Sequence, residues 1–248
     1  MILEADIGNT RITWRLRSEK TILLSSAGNS TDAIDSIIQL AGLRPTAVCV
    51  STVVNSMKHT FSQWSRDRLG IEPQYALVTR REAGVTNSYK VLSQMGVDRW
   101  LAVLAAFQSL KGPCIVVDCG TACTIDVIGD GGQHMGGYIV PGLKMMSDVL
   151  FRDTAGVKPS GISYVLPPVL GQSTDDAVAA GLPAMIIGLI DYTLRDYSSD
   201  KNRFSLLLTG GDGEQFKRVL ADRLDLNVAF NAELVLDGLQ YASFTSGT

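Results

Sequence analysis

One turn occurs twice in this chain. An apolar segment runs into Asp6-Ile7-Gly8-Asn9-Thr10, and another runs into Asp118-Cys119-Gly120-Thr121-Ala122. Each follows a strand-like run and precedes another, so each reads as strand, tight turn, strand. The surrounding elements repeat as well. In the first half, strands are expected at Ile2–Ile7, Arg11–Leu16 and Thr21–Ser26, then a helix near Thr31–Ala41 and a strand at Ala47–Thr52. A helix near Ser56–Leu69 and a strand near Tyr75–Val78 complete it. In the second half, strands are expected at Cys114–Asp118, Thr121–Ile128 and His134–Ile139, with helices near Gly142–Phe151 and Thr174–Asp196. A strand at Phe204–Leu208, a helix at Gly213–Asp222, a short strand at Leu226–Ala229 and a helix at Ala232–Tyr241 follow.

Duplicated β-β-β-α-β-α units are the ribonuclease-H-like architecture of actin-like ATPases. By that analogy the chain is α/β, with mixed sheets flanked by helices and a cleft between the halves. The boundary is expected near Lys111–Pro113, giving halves of 1–112 and 113–248 with a helix at Asp98–Leu110 packed between them. A chain of 248 residues is long enough for two units with real cores.

The turns carry the first chemistry. Glycine lets backbone N–H groups approach a phosphate without Cβ obstruction, and an Asp at the strand end can hold a hydrated cation. A single Asp-x-Gly turn is explained by an ordinary hairpin. Two at matching positions in duplicated halves are not. A third element, Leu206-Leu207-Leu208-Thr209-Gly210-Gly211-Asp212, is an apolar strand ending in bare backbone, against which an adenine or ribose can lie. A plain strand-to-helix turn capped by Asp212 is the alternative. No Gly-Lys-Ser/Thr and no Gly-x-Gly-x-x-Gly occurs, which leaves the two-turn kind of nucleotide site. A fourth element, Met95-Gly96-Val97-Asp98-Arg99-Trp100, opens the helix between the halves. Asp98 there either favours the helix dipole or, with the bidentate fork of Arg99, grips a substrate.

Taken in order, Asp6-x-Gly8-Asn9-Thr10, Gly96-x-Asp98-Arg99, Asp118-x-Gly120-Thr121-Ala122, Gly136-Gly137-Tyr138-Ile139-x-Pro141-Gly142 and Thr209-Gly210-Gly211-Asp212 resemble type III pantothenate kinases over nearly the whole chain. The resemblance implies ATP-dependent phosphorylation of pantothenate to 4'-phosphopantothenate, the first step of coenzyme A biosynthesis. It implies that Asp6, Ile7, Gly8, Asn9, Thr10, Arg11, Ile12 and Thr13 bind ATP together with Thr121, Gly210 and Gly211. It makes Asp98 the general base and assigns pantothenate to Tyr89, Gly96, Val97, Asp98, Arg99 and Thr174. It gives Asp118 to a monovalent cation, potassium or ammonium, beside the Mg2+ that accompanies ATP. It further implies a homodimer with the pantothenate site near the subunit interface. Thr13 stands where many members carry Lys, and Asp237 where Glu is common, a swap that keeps the charge.

Composition narrows the classes that remain. A net charge of −3 argues against a nucleic-acid-binding surface, and Arg80-Arg81 reads as a solvated loop. The start Met1-Ile2-Leu3-Glu4-Ala5-Asp6 is acidic where a signal peptide is basic. No stretch reads as a membrane span, Leu182–Ile190 being the nearest, so a cytoplasmic location is expected. Cys49, Cys114, Cys119 and Cys123 contain no Cys-x-x-Cys pair and read as small buried thiols. His59 reads as a helix-surface residue and His134 is open. Asp153–Pro168 is expected to be a mobile loop near the substrate. The competing readings are a kinase of another small hydroxy compound, a nuclease, and a non-catalytic transcription accessory protein. The Asn-Thr turn and the Gly-Gly strand end favour nucleotide binding over a carboxylate-only metal cluster. A regulator has no need of a base and a phosphate grip.

Overall fold

The first strand, β1 (Ile2–Ile7), and its counterpart β8 (Cys114–Cys119) share a burial pattern. Both are covered on both faces through their middle residues and open at their fifth, Asp6 in one and Asp118 in the other, with Ile2 also half-buried at the start of β1. Burial on both faces is what a central strand of a helix-covered sheet requires, and it explains why both runs are mainly apolar, Glu4 being the buried exception in β1. The computed structural model describes residues 1–28, 31, 34, 42–153, 163–197, 204–224 and 226–245. Most of the expected helix near Thr31–Ala41 and most of the expected loop at Asp153–Pro168 lie outside the described residues.

In the first sheet, β1 pairs antiparallel with β2 (Ile12–Ser18), which pairs antiparallel with β3 (Thr21–Gly28). On its other side β1 pairs parallel with β4 (Ala47–Thr52), which pairs parallel with β5 (Gln74–Tyr75). The order is therefore β3-β2-β1-β4-β5. The second sheet has the same plan, β10-β9-β8-β11-β12, built from β8, β9 (Ala122–Ile128), β10 (His134–Pro141), β11 (Ser205–Thr209) and β12 (Val228–Phe230). Two antiparallel and two parallel pairings recur in each. The duplication read from the turns is thus a duplication of topology.

Helix α1 (Asn55–Leu69) follows β4 and buries Phe61 in a core with Leu3, Ile7, Trp14 and Val50. A short hairpin, β6 (Arg81–Glu82) and β7 (Val85–Thr86), precedes α2 (Val97–Leu110). In the second unit, α3 (Leu143–Asp153) and α4 (Thr174–Tyr197) follow β10, and α5 (Gly213–Arg223) joins β11 to β12. Leu182, Ile186, Ile190 and Phe216 fill its core against Ile115, Val117 and Ile125. Cys114, Cys119 and Cys123 are buried as expected. A hydrogen bond with Cys123, then burial, holds the Cys119 thiol well above its usual range, so it stays protonated.

Two expectations differ from the structure. The compact units are Met1–Gln108 with Glu233–Thr248, and Ser109–Ala232, so the closing segment does not stay with 113–232. Its ties are ionic and apolar. Arg15, only 1% exposed, bonds Glu4 at 2.6 Å, Asp237 at 2.6 Å and Glu233 at 3.0 Å. Leu236, in α6 (Leu234–Gly238), and Leu239 pack on Leu101 and Ala76. The second difference concerns length and hydropathy. Helix α4 has 24 residues and a mean hydropathy of 1.7 in its most apolar window, enough for a bilayer span by those measures alone. Half of that window is buried in the protein, and Leu182, Ile186, Ile187, Ile190 and Leu194 belong to the second core. That is the packing of a core helix.

Candidate active site

In the first unit the Asp6 turn closes with a hydrogen bond from Gly8 N–H to Arg11 O at 3.0 Å. Asn9, Thr10 and Arg11 are exposed at its tip, whereas the side chains of Ile7 and Ile12 are buried. Only backbone groups of those two can face a ligand. Thr13 lies opposite Asp6 in register. The neighbouring strand end is tied in: Thr52 Oγ1 donates to Ile7 O at 3.1 Å and accepts from Val54 N–H at 3.1 Å.

Val53 links this turn to the Gly96–Arg99 segment. A Cβ on Gly96 would lie 3.7 Å from Val53 Cγ1 and would collide with Asp98 Oδ1. Glycine leaves room for the Asp98 carboxylate to fold back over it. Asp98 Oδ1 accepts the Arg99 N–H at 2.7 Å, which fixes the carboxylate at the start of α2, where the helix dipole favours it. Arg99 is 6% exposed and donates from Nη1 to the Tyr89 hydroxyl at 2.7 Å, its guanidinium 5.7 Å from that ring's centre. Tyr89, Gly96, Val97, Asp98 and Arg99 are thus brought together.

In the second unit the Asp118 turn meets the Gly-Gly strand end. Gly120 N–H bonds Ala122 O at 3.2 Å, and Asp212 N–H bonds Cys119 O at 3.1 Å. Gly210 has φ of +83°, and a Cβ there would collide with Asp118 Oδ1 and lie 2.6 Å from Cys119 C. The Asp118 carboxylate therefore rests on bare backbone. Gly142 N–H bonds Thr121 O at 3.0 Å and holds the far side of the turn. Above Gly211 the space is open, and a cavity of about 670 Å3 lies against it, lined by Tyr164, Pro167, Glu214, Gln215 and Arg218. That volume suits a nucleoside. Burial pushes the Asp212 carboxyl up from its ordinary range. Thr174 is exposed at the start of α4, which Ser173 caps, its Oγ accepting the Asp176 N–H at 3.1 Å and donating to Asp176 Oδ2 at 2.7 Å.

Among the described residues no group of three or more His, Cys, Asp or Glu gathers as a metal cage. The oxygen donors Asp6 and Asp118 suit hard cations that take the rest of their shell from phosphate and water. His134 is buried with Nε2 2.9 Å from Asp126 Oδ1, and His59 is exposed on α1. Sequence reasoning missed Thr52, Val53 and Asn87. The Asn87-x-Tyr89 spacing is an Asx-turn signal that could have found the last.

The model of the type III pantothenate kinase family matches residues 2–196. A type III pantothenate kinase of Marinobacter nauticus is 36% identical over 245 residues, covering 97% of each chain. Another, from Nitrosospira multiformis, is 31% identical over 246 residues, covering 96% of this chain and 89% of that one. The chain belongs to the type III pantothenate kinase family. Among solved structures, a Campylobacter jejuni protein described as a conserved putative Baf family transcriptional activator aligns with a TM-score of 0.60 and 22% identity, covering 96% and 95%. The activator of 2-hydroxyisocaproyl-CoA dehydratase from Clostridium difficile, with bound ADPNP, aligns at 0.57 and 10% identity, covering 97% and 92%. At these identities the likeness is one of fold. It agrees with the duplicated α/β plan of actin-like ATPases expected from the two turns.

Proposed function

We propose that this protein transfers the γ-phosphoryl group of ATP to the primary hydroxyl of pantothenate, giving 4'-phosphopantothenate. Family membership carries this reading, and the Tyr89–Arg99–Asp98 cluster supports it. Phosphoryl transfer leaves the protein little covalent work, so the gain lies in positioning and charge placement. The Gly8–Thr10 turn of the first unit and the Thr121 turn of the second each offer backbone N–H groups and a hydroxyl suited to phosphate, and Gly210–Gly211 offers a flat bed for the nucleoside. Asp98 aims the pantothenate hydroxyl and accepts its proton as the bond to phosphorus forms. Arg99 and Tyr89 hold the acceptor's polar groups, with Thr174 a further contact. Asp118 would hold potassium or ammonium and Asp6 the Mg2+ of the nucleotide. Such cations, when bound, neutralise triphosphate charge. The remaining proposals are a cytoplasmic homodimer that needs neither nucleic acid nor membrane.

Relatives at 30–36% identity carry the kinase name, whereas the Baf family neighbour shares fold alone, so the accessory-protein reading is not favoured. The test is a coupled assay with ATP and pantothenate, in potassium and in sodium buffers, alongside a panel of other small alcohols. Turnover of pantothenate that depends on potassium or ammonium is expected. Preference for another alcohol would overturn the substrate assignment, and full activity in sodium alone would overturn the role given to Asp118.

A further inference from the structure

Asn87 is 2% exposed, and its carboxamide spans the two sides of the Tyr89–Arg99 cluster. Its Oδ1 accepts the Tyr89 N–H at 2.9 Å. Its Nδ2 donates to Met95 Sδ at 3.2 Å, one residue before the Gly96–Arg99 turn. Its backbone is clamped as well. Asn87 N–H bonds Arg80 O at 3.0 Å, while Arg80 Nη1 donates to Asn87 O at 2.8 Å and Nη2 to Lys90 O at 3.3 Å. Tyr89 in turn presents its hydroxyl to Arg99. One buried amide thus sets both the residue that meets Arg99 and the approach to the segment that carries Asp98.

We infer that Asn87 is a positioning residue for the alcohol substrate, holding Tyr89 and the Gly96–Arg99 turn in one register, with Arg80 as the clamp behind it. The inference rests on the reading of Tyr89 and Arg99 as the pantothenate grip. Asparagine suits the place because it alone of the short side chains supplies an acceptor and a donor in one plane. Aspartate keeps the oxygen that Tyr89 N–H uses and loses the donation to Met95. Alanine loses both and leaves the half-buried Tyr89 N–H without this acceptor.

The test combines kinetics with amide hydrogen exchange by NMR on Asn87→Ala, Asn87→Asp, Tyr89→Phe and the Asn87→Ala/Tyr89→Phe pair. Losing one such hydrogen bond corresponds to about tenfold, so KM for pantothenate is expected to rise about tenfold in Asn87→Ala, with KM for ATP within about twofold of wild type. Because Asn87 also reaches the Gly96–Arg99 turn through Met95, the double variant should lose more than either single one but less than the two losses combined. Exchange at the Tyr89 amide should quicken in Asn87→Ala and stay near wild type in Asn87→Asp. If Asn87→Ala does not fold, Asn87→Asp carries the kinetic arm through its lost donation to Met95, with a smaller rise in the same KM. An unchanged pantothenate KM, an equal rise in both KM values, or losses that add in the double variant would overturn the inference. The exchange arm needs no activity. A wild type that leaves pantothenate untouched sinks the functional reading, and the Tyr89 exchange rates then decide whether Asn87 holds the segment.

Discussion

Asp98 is the residue on which the chemistry turns, and its setting separates two roles. Its Oδ1 accepts the Arg99 N–H at 2.7 Å, a bond that a helix-terminus residue would also make. The folding back over Gly96 is different, because a Cβ at 96 would meet Asp98 Oδ1 and push the carboxylate out of this position. Asp98→Asn keeps the shape and the accepting oxygen and removes the base. Turnover with saturating ATP and pantothenate should fall by at least ~10², or about 2.7 kcal/mol of transition-state stabilisation. KM for ATP should stay near wild type, because the nucleotide turns are separate segments. Steady-state kinetics decides it, and a turnover near wild type would leave Asp98 as a helix terminus only.

The closing segment gives the prediction at the scale of elements. Glu4 on β1 is 1% exposed and receives Arg15 Nε at 2.6 Å and Arg17 Nη2 at 2.7 Å. Arg15 also reaches Asp237 on α6, so one strand pair and the last helix share an ionic network. Glu4→Ala would leave a buried guanidinium without its deepest partner, a loss of ~3–5 kcal/mol. Urea unfolding should show the midpoint drop accordingly, and a change under ~1 kcal/mol would mean that the network is well solvated.

That network also shows what the sequence could and could not disclose. Strands β1 and β8 were legible because mainly apolar runs end in turn residues, with Glu4 the one charged residue before Asp6 in β1. Their pairing plan followed from the repeat. The return of Glu233–Thr248 to the first unit was not legible, because it depends on Arg15 meeting Asp237 across 222 positions of chain. The β6–β7 hairpin has two residues in each strand, too few to show a period. Asp98 and Arg99 stand out in a short motif and Tyr89 came only with the family resemblance, while Val53 acts through a contact that no short motif encodes.

At the scale of the whole molecule, one surface of the second unit bears on the proposed homodimer. Met185 and Tyr192 are seven residues apart on α4, on one face of the helix, and are 63% and 52% exposed. The Tyr192 ring lies 6.5 Å from that of Tyr138 on edge strand β10. An edge strand and an apolar helix face together form a surface that a lone chain would be expected to charge or cover. A second copy seated here would bury it isologously, as most homodimers do. A stable pair buries about 1,600 Å2, and aromatic side chains at its centre dominate the energy. Light scattering at micromolar protein should therefore give twice the 26.7 kDa chain mass. Met185→Arg with Tyr192→Arg places two like charges from each copy against the other, and the mass should fall toward that of one chain with the melting temperature of the unit little changed. A wild type of one-chain mass would overturn the dimer, and a double variant that stays paired would move the interface to another face.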